Sequence, residues 1–163
     1  MLHAHGIRAL ADVRRFPASR KYPHFNGGEL QKVLSQNDVE YHHFEILGGR
    51  RPARKDSHNT AWRNDSFRGY ADYMETAPFQ KGAQTLQQLA LEKPTAIMCA
   101  EAVWWRCHRG LVSDYFKVRS WNVLHIMTAD KADPHPYTSA ARVEDGKLTY
   151  SLSDEQLSLM PDQ

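Results

Sequence analysis

The chain predicts an α/β fold: a Rossmann-like, three-layer arrangement with a mainly parallel sheet and helices on both faces. Three observations carry that expectation. Residues 7–13 and 95–99 are short runs of small and branched apolar side chains, the pattern of buried strands. Between and after them, apolar residues recur at helical spacing. The order strand, helix, strand across residues 95–126 then reads as a βαβ crossover, which requires parallel neighbours.

Taken in order, residues 2–6 (Leu-His-Ala-His-Gly) look like the last turn of a helix closed by a glycine in the left-handed position. The chain is therefore expected to begin inside a helix, with that helix and any preceding strand missing or supplied by a neighbouring copy, as in a homodimer. The strand at 7–13 delivers Asp12 and Arg14 at its end. Residues 16–28 hold Pro17, Pro23, Asn26, Gly27 and Gly28, which is loop chemistry. A short helix is expected over 29–36 with Leu30, Val33 and Leu34 on one face, then a second strand over 39–44. A polar segment from Leu47 to about Gly69 exceeds ordinary loop lengths and suits a lid or binding loop, with Trp62, Phe67 and Tyr70 packing part of it. Residues 70–92 read as two helices broken at Pro78. The strand at 95–99, introduced by Pro94, is the best buried-strand candidate. A helix over 107–119 turns Leu111, Val112, Tyr115 and Phe116 inward, and 122–126 is a further strand. Residues 149–152 suit a short edge strand, and a tail or weak helix is expected from about 153.

Composition bounds the function. At 163 residues, with 41% apolar and 25% charged residues, the chain has the size and composition of one folded globular domain. A mean hydropathy of -0.65 and the lack of any long apolar run argue against a membrane span. The N-terminus lacks the basic and apolar regions of a secretory signal, so a cytoplasmic location is expected. The net charge is only +2, yet 13 residues are arginine and many are clustered: Arg14 with Arg15, Arg20 with Lys21, Arg50 and Arg51 with Arg54, Arg106 with Arg109. Guanidinium forks match phosphate and carboxylate oxygens, so clusters that converge would make an anion site. Clusters that stay apart are a solvated surface.

Ligands of open α/β sheets sit beyond the carboxyl ends of the strands. Here those ends carry Asp12, Arg14 and Arg15, then Cys99 and Glu101, and the run Arg106-Cys107-His108-Arg109 opens the next helix. A helix N-terminus flanked by arginines favours an anion and a thiolate. The Cys99-to-Arg106 run is not the phosphate cradle of cysteine-dependent phosphatases: it is one residue too long, holds no glycine and carries Glu101. Seven residues separate Cys99 from Cys107, unlike a thioredoxin motif, although dithiol chemistry is open if the loop folds back. A metal site could draw on Cys99, Cys107 and His108 with His24 or His125, but no spacing matches a zinc pattern, so no metal is assigned. In the plain structural reading, both cysteines are packing residues.

The runs Ala11-Asp12-Val13-Arg14-Arg15-Phe16-Pro17, Ser19-Arg20, Phe25-Asn26, Leu47-Gly48-Gly49-Arg50, Phe67-Arg68-Gly69-Tyr70-Ala71, Met98-Cys99-Ala100-Glu101, Cys107-His108-Arg109 and His125-Ile126 resemble the DUF488 family of bacterial and archaeal proteins. The likeness extends from about Gly6 to Ile126. It implies a Rossmann-like fold and a site built around the two cysteines, with no assigned function. Members of that family usually begin with a strand bearing a Gly-His-Ser motif, which this chain lacks.

The leading functional expectation is an enzyme, a hydrolase or transferase, acting on a phosphate-bearing ligand such as a nucleotide or nucleic acid. Arg14, Arg15, Arg20, Arg50, Arg106 and Arg109 would hold phosphates, and Trp62, Tyr70, Trp104 and Trp105 would stack on a base. Glu101 or Asp12 would serve as general acid or base, and Cys99 or Cys107 as nucleophile, beside His108. The alternatives are a nucleic-acid-binding or regulatory module without catalysis, and a thiol redox or metal-dependent enzyme. No cofactor is specified.

Overall fold

A computed structural model describes residues 1–152; the expected tail lies outside them. Across the described residues the protein is a mixed α/β fold built on a three-stranded parallel sheet and four α-helices. The sheet has the order β2-β1-β3, with β1 at Ala9–Asp12, β2 at Glu40–His43 and β3 at Thr95–Met98. Ala9 lies opposite Glu40 on one side and Thr95 on the other, and Asp12 lies opposite His43 and Met98. The carboxyl ends of all three strands are therefore level, and Val13, Phe44 and Cys99 leave the sheet at one edge. That alignment brings together groups that are far apart in the chain.

The alternation of β1 explains its central place. Ala9, Ala11 and Val13 enter a large apolar cluster with Leu47, Tyr70, Phe79, Leu86, Leu111 and Val112, while Leu10 packs with Leu30, Leu34 and Val39. Both sets are buried because successive strand residues point to opposite faces. The first cluster is supplied by α2 (Asp65–Met74), α3 (Ala77–Glu92) and α4 (Arg109–Lys117), the second by α1 (Gly27–Ser35). Asn64 caps α2 by accepting from the Ser66 and Phe67 amides. Pro78 stands in the first turn of α3, so the break between the helices falls at Glu75 and Thr76.

The structure corrects several expectations. α2 starts at Asp65, inside the segment read as a long loop, because Asn64 supplies its cap. Val33 is 51% exposed and only Leu30 and Leu34 of that helix are buried. The N-terminal turn, His3–His5, is 3-10 in form, closed by Gly6 at φ 66°. β3 is half-buried throughout, since its outer edge carries no strand. The crossover from β3 through α4 does not rejoin the sheet: β4 (Leu124–Ile126) pairs antiparallel with β5 (Ala132–Pro134). A tight turn, in which the Met127 and Thr128 amides donate to the Lys131 carbonyl, satisfies β4 locally. β6 (Arg142–Glu144) and β7 (Lys147–Thr149) form a second hairpin. Among the described residues, no helix is long and apolar enough to cross a membrane.

Gly69 shows how closely the 51–53 segment rides on α2. A Cβ there would stand 2.2 Å from the Arg51 carbonyl oxygen and 2.6 Å from the Ala53 amide nitrogen. Alanine is favoured over glycine in a helix by about 1 kcal/mol. Gly69→Ala is nevertheless expected to destabilise by roughly 1–3 kcal/mol, because backbone atoms must move. Chemical denaturation checks the sign.

Candidate functional site

Two polypeptide segments from the level strand ends, with the start of α4, build the site. Cys99 follows β3, and a short turn at Trp104–Arg106 returns the chain so that Cys107 and His108 stand at the head of α4. Cys99 Sγ, Cys107 Sγ and His108 Nδ1 all lie within 4.8 Å of one another. Nδ1 is 3.6 Å from Cys107 Sγ and 3.9 Å from Cys99 Sγ. The opposite ring nitrogen, Nε2, is 3.1 Å from the Val13 carbonyl oxygen. A carbonyl can only accept, so Nε2 carries a proton, and Nδ1 is the ring nitrogen that faces the two sulfurs.

The surroundings hold that ring still. Tyr70, fully buried and donating to the Leu47 carbonyl, packs its ring 4.8 Å from that of His108. Gly49 approaches from the other segment, and a Cβ on it would stand 2.9 Å from His108 Nδ1. The two thiols differ. The hydrogen bond from Cys99 pulls the Cys107 thiol down to about 6 against the opposing effect of burial, helped by the Arg109 amide, which donates to its sulfur at 3.5 Å. The same bond, with burial, pushes Cys99 up to about 12.

Cys99 also lines an open cleft of about 990 Å³ that follows β3 from Leu2 and Pro94 at one end to residues 100–104 and Arg109 at the other, with β4 and parts of α1 along its sides. Its floor is apolar, with Ile97, Phe116, Trp121 and Val123, and its polar groups include Glu101, Arg109 and His125. Arg109 Nη2 donates to the Glu101 and Ala102 carbonyls, which ties the loop after β3 to the head of α4. Glu101 itself is exposed.

Other residues singled out from the sequence have different settings. Asp12 is fully buried and Arg14 is 6% exposed; they form an internal ion pair. Arg14 Nε donates to both carboxylate oxygens, Nη2 to Oδ2 at 2.5 Å and Nη1 to the Phe25 carbonyl, while Tyr41 adds a hydroxyl bond to Oδ2. Burial acts to raise the Asp12 carboxyl, but the bonds from Arg14 and Tyr41 outweigh it and hold it below the usual range. Both Asp12 oxygens are taken up by these bonds, and Arg14 directs Nε, Nη1 and Nη2 to Asp12 and Phe25, while its side chain also borders the cleft. Arg15 and Arg50 are exposed and adjacent, Arg15 Nη1 donating to the Arg50 carbonyl beside the Gly48-Gly49 approach. Arg20 and Arg106 are exposed. Trp62 packs on Phe67 and Tyr150, and Trp105 is 54% exposed. His24 packs its ring at a tilt against Phe25 and His125 bonds to His135, so neither joins the two thiols.

Sequence reasoning missed one network. Asp114, on the inward face of α4 beside Tyr115, is fully buried. It accepts from His135 Nε2 at 2.9 Å, the Thr138 amide and hydroxyl, and the Tyr150 hydroxyl. The other ring nitrogen of His135, Nδ1, meets His125 Nε2 at 2.8 Å. His125 lies flat on Trp104, rings 4.3 Å apart and 4° from parallel, at the cleft wall. Burial, with the nearby charges of His135 and Arg109, drives the His125 ring down to about 4. A carboxylate on the apolar face of a helix was the available signal, since such a group needs buried partners.

No curated protein and no solved structure matches the chain. The family described as a domain of unknown function, DUF488, matches residues 1–116. That span takes in the whole sheet, both cysteines, His108 and most of α4, and stops short of the two hairpins that supply His125, His135 and Tyr150. The chain belongs to the DUF488 family.

Proposed function

We propose that the protein is an enzyme acting on a phosphate-bearing ligand bound in the cleft, with Cys99, Cys107 and His108 as its reaction centre. The observation that carries this reading is the convergence of those three groups within 4.8 Å, with Cys99 at the wall of the cleft and Cys107 and His108 behind it. Arg109 lines the same cleft at the head of the nine-residue helix α4, whose first turn holds no acidic residue. A guanidinium and a helix N-terminus together favour an anionic group. Glu101, also on the cleft wall, is the residue available to move a proton, and Trp104 offers an aromatic edge for a base. The reading takes the fold as Rossmann-like, with ligand at the carboxyl ends of the strands; the opposed clusters on the two faces of β1 support that.

Equilibrium binding of AMP, ATP and a single-stranded oligonucleotide, measured by calorimetry across a salt series, tests it. At least one of them should bind, and Arg109→Gln should weaken binding about tenfold or more, the loss expected for a charge-assisted hydrogen bond. A steep salt dependence for the oligonucleotide alone would favour a nucleic-acid ligand. If none of the three binds, the phosphate-ligand reading is wrong.

A further inference from the structure

We infer that Cys99, Cys107 and His108 form a site for one Zn²⁺ ion, with a fourth coordination position left to a ligand or water. This deepens the reading above, since it names the cofactor of the same centre. Thiolate and imidazole together select zinc among abundant divalent cations, and a site with three protein ligands is the catalytic rather than the structural kind. Geometry carries the argument. Tetrahedral Zn²⁺ with bonds of about 2.3 Å to sulfur and about 2.05 Å to nitrogen requires roughly 3.6 Å between sulfur and nitrogen and roughly 3.8 Å between sulfurs. His108 Nδ1 already stands 3.6 Å from one sulfur and 3.9 Å from the other, and the third edge lies within the 4.8 Å span of the group. Metal entry would need shifts of only a few tenths of an ångström at these nitrogen–sulfur edges.

Three supporting contacts point the same way. Zinc-ligating histidines donate their second ring nitrogen to a carbonyl or carboxylate, and His108 Nε2 has the Val13 carbonyl. The Arg109 amide donates to Cys107 Sγ, a bond that holds a thiolate ligand in place. At Gly49, any side chain would crowd Nδ1 at 2.9 Å, so glycine keeps the space beside the ligating atom open. Among the described residues the group has three members, and Cys99 borders the cleft, where a fourth ligand enters.

Titrating the full chain, free of any histidine tag, with Co²⁺ as a spectroscopic stand-in tests the site without substrate. One equivalent should give a thiolate-to-cobalt charge-transfer band, displaced by one equivalent of Zn²⁺. Cys107→Ser, Cys99→Ser and His108→Gln should each cut affinity by more than the roughly 10–100-fold that loss of a supporting contact costs, and Gly49→Ala should fall within that range, with circular dichroism confirming the fold. A wild-type protein that shows no charge-transfer band in excess Co²⁺ overturns the proposal, whatever the variants do. So does a band that persists unchanged in both cysteine variants. Because the readout contains no phosphate ligand, the metal site and the phosphate-ligand reading fail independently.

Discussion

Asp114→Ala should lower the stability of the protein by roughly 3–5 kcal/mol, a fall in Tm on the order of 10 °C for a chain of this length. The carboxylate is fully buried and accepts four hydrogen bonds, from His135, from the amide and hydroxyl of Thr138, and from Tyr150. Its removal strands those donors in an apolar interior, where each unsatisfied group costs about 1–3 kcal/mol before the structure relaxes. Asp114→Asn is expected to be nearly as harmful, because an amide nitrogen replaces an acceptor with a donor where only donors face it. Tyr150→Phe removes one bond and should cost no more than about 1.5 kcal/mol. Urea denaturation orders the three variants. The consequence reaches the cleft, since His135 orients His125 and His125 stacks on Trp104. A ligand contacting Trp104 should therefore bind less tightly to a destabilised but folded variant at this position.

Arg14→Ala should cost a similar amount, about 3–5 kcal/mol, by leaving the Asp12 carboxylate buried without its cation. The pH dependence has a definite sign. In the wild type, the folded-state pKa of Asp12 is depressed, so its contribution is fully present above the unfolded carboxylate value and is lost as pH falls through the folded one. In the variant, burial without Arg14 favours the neutral acid, so folding gains relative stability as pH falls. The penalty of the substitution should thus shrink between neutral pH and the carboxylate range near pH 4. Denaturation midpoints of both proteins at several pH values measure this. A penalty that grows toward acid pH would mean that Arg14 does not act through the Asp12 charge.

Local pattern reached far into this fold. The small and branched run at Ala9–Asp12, the apolar face of α4 and the helix break at Pro78 specify their elements because each depends on neighbours within a few residues. Cys99, Cys107 and His108 stood out as candidates for the same reason, since they fall at a strand end and a helix start, and the fold brings these three together. The partner of β4 was not legible. A strand after a helix usually rejoins a parallel sheet, but here the turn at residues 127–131 satisfies β4 first, and the outer edge of β3 becomes a cleft wall instead.

The role of each charged group was likewise a tertiary matter. Asp12 and Arg14 carry the same residue types as a catalytic acid and a phosphate ligand, and only the tertiary structure shows them buried and bonded to each other. The seven-residue gap between Cys99 and Cys107 gives no metal spacing in one dimension, yet the level strand ends and the returning turn close it to within 4.8 Å. Sequence alone determined the α/β class and the family and singled out the Cys99–Arg109 segment as a candidate, because these follow from local periodicity and residue type. Only the tertiary structure decided which groups meet, since that depends on strand register, on which edge a strand leaves open and on the glycine that lets Nδ1 of His108 face two sulfurs.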